Sequence, residues 1–382
     1  MNHKVLILGA GGYLGWPASL YFASRGYEVL AVDNDSKQFL MQETGSRSIN
    51  EPPSIKDREI PSSLQSNLTA EYLDCRHFSQ LESCLRKFQP DTVIHLAEQP
   101  SAPLSMQNFD KSHYTLINNL ETTHNILWAI CGLKKRPHLI KLGTMGEYGT
   151  PNIDIEEGWL EIRHNSRSDK FLYPRQASSL YHTTKIMDTD LIWFFVRTHQ
   201  LAVTDLMQGP VFGCKISEDS FGELFSELCY DDIFGTVINR FAAQAARDLP
   251  LTVYGSGNQI RGYIALQDSL RCMELATENP PQPGDLSIYN QFTSCLSINE
   301  IADTFVQAGK EVNKSVTIRR VTNPRVEKEE HYYNPQNIKL LNLGLEPHPL
   351  DLEAALELIQ FCLQHRSEIN TDKILPSVTW KK

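Results

Sequence analysis

Short apolar runs and amphipathic stretches take turns along the first half of this 382-residue chain. Val5-Leu6-Ile7-Leu8 is continuously apolar, the pattern of a strand buried on both faces, and similar runs predict strands at 28–32, 70–73, 91–97, 139–142 and 201–206. Between them, helical patterns lie at 17–22, 78–87, 114–131 and 177–198. Repeated strand and helix units predict an α/β fold, a Rossmann-type doubly wound parallel sheet, which takes its ligand at the carboxyl ends of its strands. Near residue 207 the alternation breaks into Gly- and Pro-bearing segments, Gln208-Gly209-Pro210-Val211-Phe212-Gly213 and Leu249-Pro250-Leu251-Thr252-Val253-Tyr254-Gly255. The expectation is a catalytic, cofactor-binding domain at 1–206 and a smaller mixed α/β substrate domain at 207–382, some segments of which return to the first. The stretch 41–67 is rich in Ser, Pro, Asn and charge and reads as a solvated loop or flap.

The first strand runs into Gly9-Ala10-Gly11-Gly12-Tyr13-Leu14-Gly15, with Gly9, Gly12 and Gly15 three apart. Such glycines allow a tight turn, close approach of a pyrophosphate to the backbone, and close packing of helix on strand. The loop, Tyr13 and Leu14 included, is the candidate dinucleotide cradle. The second strand ends at Asp33, followed by Asn34, at the place about twenty residues on where a carboxylate accepts from both ribose hydroxyls. That carboxylate repels a 2′-phosphate, so NAD is expected over NADP. Asp74, Cys75, Leu96, Ala97 and Glu98 stand at further strand ends on the same edge.

The apolar run 139–142 leads into Gly143-Thr144-Met145-Gly146-Glu147, and downstream comes Tyr181-His182-Thr183-Thr184-Lys185. Tyr181 and Lys185 are four residues apart and share a helix face. There an ammonium is expected to lower the phenol's pKa, and Thr144 to bond the same substrate oxygen, so the three form a device for taking a proton from an alcohol.

Composition removes several classes. Excess acid, a formal charge of −10, argues against a nucleic-acid partner. No apolar run approaches the ~20 residues that span a bilayer, so no membrane insertion is expected. Met1 stands so near the first strand that a cytoplasmic protein is expected, or a plastid stromal one if a transit peptide was removed. The eight cysteines are scattered and neither they nor the histidines show zinc spacing, so no metal is expected.

The glycine start, Thr144, Tyr181 and Lys185 and the irregular second half resemble the extended short-chain dehydrogenase/reductase family acting on sugar nucleotides. Lys141 to Gly158, Asn290-Gln291-Phe292-Thr293, Asn323-Pro324-Arg325-Val326-Glu327 with Glu330-His331-Tyr332, and Leu343 to His348 resemble its UDP-sulfoquinovose synthase branch. The resemblance implies oxidation of C4 of UDP-glucose by bound NAD, loss of water across C5 and C6, addition of sulfite at C6, and return of the hydride. It gives Tyr181 the role of C4 base, Lys185 that of ribose holder, and Thr144 that of proton relay. Nucleotide-sugar 4,6-dehydratases carry Asp-Glu after the threonine as elimination acid and base; Met145 and Gly146 stand there instead, leaving Glu147 and His182 as candidates. Arg261 and Arg325 match pyrophosphate clamps, Gln208 and Val211 the nicotinamide loop, Met145 and Asn239 sugar contacts, and Thr252 the uridine border. Asn119 matches an asparagine beside the active site, with Asn118 as the alternative. A homodimer is implied, through a four-helix interface of 114–131 and 177–198.

The chain also departs from that branch, reading Glu98-Gln99-Pro100-Ser101-Ala102-Pro103 where the family has arginine in the third place. A UDP-hexose 4-epimerase, or another C4-oxidising enzyme on a modified substrate, is the alternative enzyme. A non-catalytic NAD-binding scaffold or sensor is the alternative from another class.

Overall fold

The computed structural model describes residues 3–325, 331–375, 377–378 and 380. Its centre is a seven-stranded sheet in the order Leu286–Gln291, Val203–Gln208, His138–Thr144, Thr92–His95, Lys4–Leu8, Glu28–Asp33, Leu68–Tyr72, with every neighbouring pair parallel. The chain starts in the middle, winds outward to one edge, then crosses over and winds to the other. The reversal falls between Lys4–Leu8 and Thr92–His95, so the crevice of the sheet opens where Gly9 and Leu96 leave it.

Two apolar layers enclose the sheet. On one face the helix Gly15–Ser24 packs with Leu266–Glu278, burying Phe22, Ala18 and Leu270; on the other, Phe78–Phe88, Phe109–Cys131 and Leu180–His199 bury Leu81, Ile126 and Ile192. A third cluster lies in the second lobe, where Val237–Ala246, Ile298–Glu311 and Leu352–Gln364 enclose Phe241, Phe305 and Ile359. That lobe is not a simple tail. After leaving the sheet at Gln208, the chain re-enters it at Leu286–Gln291, pairing Leu286 with Val203.

The segment 41–67 is anchored, which corrects the expectation of a solvated flap. Ser48–Ile49 pairs antiparallel with Leu228–Cys229 of the second lobe. Ile49 and Ile55 are fully buried. Asp35 fixes the next turn, accepting from Ser54 Oγ at 2.6 Å and from the Ile55 backbone N–H at 2.9 Å. Polar composition hid three well-spaced apolar anchors, Ile49, Ile55 and Leu64. Ile49→Ala is expected to lower unfolding free energy by about 2–5 kcal/mol in urea denaturation.

Candidate active site

The glycine loop is built for close approach. Gly9 has φ 84°, and a Cβ there would lie 2.5 Å from the Leu96 carbonyl carbon; at Gly15 a Cβ would lie 2.2 Å from the Gly9 oxygen. No side chain among the described residues caps the helix Gly15–Ser24; Pro17 has no N–H and the Trp16 N–H goes to the Gly12 carbonyl, so the Gly15 N–H is the first-turn donor turned to an anion. Asp33 Oδ2 accepts from the Gly11 N–H at 2.8 Å and Oδ1 from the Asp35 N–H at 2.6 Å, which fixes the carboxylate in the crevice. Arg58, from the anchored segment, holds the other side of the loop by donating to the Gly11 carbonyl at 2.5 Å.

A cavity of about 360 Å³ runs from this loop across the sheet. Gly9, Gly12, Tyr13, Leu14, Gly15, Asp33, Asn34, Asp74, Cys75, Leu96, Ala97, Glu98, Tyr181, Lys185, Gln208 and Val211 all line it. Asn119 does not. It is fully buried, taking the Gln99 N–H on Oδ1 and donating to Thr184 Oγ1, and its neighbour Asn118 lines the cavity instead. A dinucleotide fits this combination of glycine cradle, uncapped helix and anchored carboxylate.

A second cavity, of about 560 Å³, opens beside it, and Thr144, His182 and Arg325 line both. Met145 and Arg261 border the second cavity; Gln208 borders only the first. Two expected substrate contacts are corrected. Asn239 spends its Oδ1 on the Gly213 N–H, and Thr252 pairs through Oγ1 and N–H with Gln244, so both support the walls without lining them. Val326, Glu327 and Glu330 lie outside the described residues. Arg240 was not anticipated. It lines the second cavity, donates to Tyr254 Oη at 3.0 Å and to the Thr252 carbonyl at 3.3 Å, and lies over the Tyr254 ring. Its signal was an arginine within the apolar helical run Val237 to Ala246, where a buried charge needs a purpose.

Where the cavities meet, Thr144 Oγ1 accepts from the Gly146 N–H at 3.1 Å, and Glu147 Oε1 returns to the Thr144 N–H at 3.3 Å. This capping box turns Glu147 away from both cavities. Glu147 is fully buried, ion-paired with Lys141 at 3.2 Å and Arg175 at 3.3 Å, and the structure does not bring it to the substrate space. His182 is there instead. Its Nδ1 lies 2.9 Å from Ser179 Oγ, and a Cβ on Gly146 would sit 2.4 Å from its Nε2. The imidazole therefore fills the space into which a glutamate at 146 would project. Burial, with Arg325 and Arg261 nearby, pushes its pKa down to about 3, so the ring is neutral at neutral pH.

Lys185 does not act as expected on Tyr181. Its Nζ donates to Glu98 Oε1 at 2.7 Å and to the Leu142 carbonyl at 2.6 Å, so its charge is already matched. Burial, then the Glu98 carboxylate, hold the Tyr181 phenol above its ordinary value rather than below it. Helical spacing gave the pair correctly and could not reveal Glu98, which reaches Lys185 from a different strand end.

The fold and these two joined cavities define a protein of the Rossmann class with a dinucleotide site at the carboxyl edge of its sheet. The chain belongs to the NAD dependent epimerase/dehydratase family, whose model matches residues 5–290, and it is an NAD-dependent enzyme. It is 42% identical to the chloroplastic UDP-sulfoquinovose synthase of Spinacia oleracea, over 99% of this chain and 79% of that one. To the UDP-sulfoquinovose synthase of Sulfolobus acidocaldarius it is 40% identical, over 99% of this chain and 98% of the relative. A UDP-glucose 4-epimerase from Brucella ovis, solved with NAD, superposes with a TM-score of 0.68 at 20% identity, covering 94% of this chain and 98% of that one.

Three buried rings tie stability to pH. Burial pushes His95 and His138 down to about 4 and His182 to about 3, whereas a free imidazole titrates near 6.5. Because the unfolded chain binds the proton first, stability is complete above that value and falls from about pH 6.5 towards pH 4 for His95 and His138 and pH 3 for His182, by roughly 3–5 kcal/mol per ring at most. Urea midpoints across this range check the slope, and ring NMR shifts should report neutral imidazoles at pH 5. Gly146→Ala, which displaces His182, is expected to keep NAD bound and to lower turnover at least about tenfold.

Proposed function

We propose that the protein oxidises C4 of a UDP-hexose and forms UDP-sulfoquinovose from UDP-glucose and sulfite. The observation that carries this reading is that Tyr181 and Lys185 line the dinucleotide cavity beside Thr144, which also borders the second cavity with Arg240, Arg261 and Arg325. An acidic chain that gathers three guanidinium groups in one cavity is suited to a pyrophosphate, which they pair bidentately. The glycine loop and Asp33 would hold NAD, which would supply a reversible hydride acceptor for C4. Tyr181 accepts the hydroxyl proton only as its own phenolic proton leaves, because burial and then Glu98 keep the phenol protonated, and Thr144 bonds the same substrate oxygen. A C4 ketone acidifies the C5 proton, and neutral His182, in the space of the dehydratase glutamate, is the group we assign to move it. Arg325 lines both cavities together with His182, and we assign it the positive charge that would receive a sulfite anion. The names of the two relatives at 40% and 42% identity support the same chemistry.

Pro100 keeps a second reading alive. It borders the NAD cavity in the place of the family arginine and carries no charge for an acceptor anion, which favours a C4-epimerase or a modified acceptor. Incubation with UDP-glucose, with and without sulfite, followed by mass analysis decides between them. A sulfonated product that Tyr181→Phe loses by at least about a hundredfold is expected; UDP-galactose as the only product would replace the reading with the epimerase, and bound NAD without turnover would favour a scaffold.

We also propose a homodimer. Ile117 and Trp128 on Phe109–Cys131, and Met187 and Phe194 on Leu180–His199, leave 44–51% of their surfaces exposed on two helices that pack together. Light scattering should give twice the chain mass, and Phe194→Asp should reduce it to that of one chain.

A further inference from the structure

Glu98 is the group in the cofactor cavity that the proposed chemistry leaves unused. Its side chain is 3% exposed and sits at the carboxyl end of the strand Thr92–His95. Oε1 is engaged twice, by Lys185 Nζ at 2.7 Å and by His95 Nε2 at 3.3 Å. Oε2 has no hydrogen-bond partner among the described residues, although it is buried. The tautomer of His95 follows from its surroundings. Nδ1 accepts the Ala97 backbone N–H at 3.3 Å, so Nε2 carries the proton and faces Glu98 Oε1 and Thr123 Oγ1, the latter at 3.0 Å. Lys185 thus donates to Oε1, with His95 Nε2 3.3 Å from the same oxygen but bonded to Thr123, and Oε2 is buried without a partner among the described residues.

We propose that Glu98, backed by His95, is a proton store: its Oε2 takes up the proton that Tyr181 and Lys185 pass inward when a substrate hydroxyl is oxidised, and gives it back when the carbonyl is reduced. The step balances inside the protein. The C–H bond breaks with its electron pair going to NAD, the O–H bond breaks with its proton ending on the carboxylate, and a carboxylic acid replaces a carboxylate. Charge supplies the driving force. Oxidation of the alcohol removes the positive charge of the nicotinamide from the cavity, and a carboxylate that loses a neighbouring cation in a low-dielectric site binds a proton more tightly.

The other groups around Glu98 are less able to serve. Lys141 and Lys185 are held charged, each by carboxylates that outweigh its burial. Asp188, one helical turn beyond Lys185, is pushed up by burial and then by Glu98, and it lines neither cavity. Tyr181 holds its own proton for the same two reasons, and Thr123 does not titrate. His95 donates from Nε2 and accepts at Nδ1, which leaves Oε2 of Glu98 as the open place.

The inference rests on bound NAD and not on the identity of the sugar. Its test is a mediated redox titration of the purified NAD-loaded protein at a series of pH values, reading the midpoint potential rather than turnover. Wild type is expected to take up two protons per electron pair between about pH 6 and pH 9, one for the cofactor and one for the store, and Glu98→Gln only one. One proton in wild type, or two retained in Glu98→Gln, overturns the proposal. If the Gln variant does not fold, infrared difference spectra of wild type and Glu98→Asp decide: a protonated-carboxyl band that appears on reduction and shifts with the Asp side chain supports the store, and a band that does not shift, or none, refutes it.

Discussion

The site hangs on a single buried ammonium. Lys141 points from the strand His138–Thr144 into the interior, fully enclosed, and its Nζ reaches Glu147 Oε1 and Asp205 Oδ2 at 3.2 Å each, Thr189 Oγ1 at 2.9 Å and the Lys185 carbonyl at 3.3 Å. Those partners come from the turn after Thr144, the next strand of the sheet, and the helix that carries Tyr181. One side chain thereby registers the threonine, the tyrosine and lysine, and the strand leading to Gln208 against one another. A cation this deep survives only because every direction it faces is occupied by an acceptor. Removing it would strand two carboxylates in the same dry space, so the catalytic geometry and the folding of the core share one interaction.

Local chemistry was legible in the sequence wherever a motif acts through its own backbone. Gly9 and Gly15 must be glycines because of contacts within a few residues and with the adjoining strand end, and Asp33 holds the same loop from the end of the next strand. Residues whose meaning depends on a distant partner were not legible. Glu147 reads as a candidate base until Lys141 and Arg175 claim it. Asn118 and Asn119 are indistinguishable until the helix is rotated into place, and one then faces the cavity while the other ties Gln99 to Thr184. The phenol of Tyr181 depends on Glu98, which no spacing rule connects to it.

Glycine at 146, where nucleotide-sugar 4,6-dehydratases carry glutamate, decides which side chain reaches the join of the two cavities. His182 belongs to the helix, not to the strand end, so its imidazole approaches the same space from the opposite wall and is oriented there by Ser179. A side chain larger than glycine at 146 would have to push the imidazole out of this position. The two residues are thus a matched pair in which the small one exists for the large one, and the adjoining Met145 contributes an apolar wall to the second cavity where a dehydratase places a charge.

The strand Leu286–Gln291 has a consequence for synthesis. Until the ribosome has passed Gln291, the strand Val203–Gln208 is the open edge of a hydrophobic parallel sheet, with a row of unpaired amides available to any other extended chain. The NAD half therefore cannot finish folding when its own sequence has emerged; it waits for the chain to run on through Gln291, much of the second lobe included. Nascent chains of this protein are most exposed to misassembly during that interval, and a chain cut short near residue 206 would carry every residue of the glycine loop and still present the wrong surface to solvent.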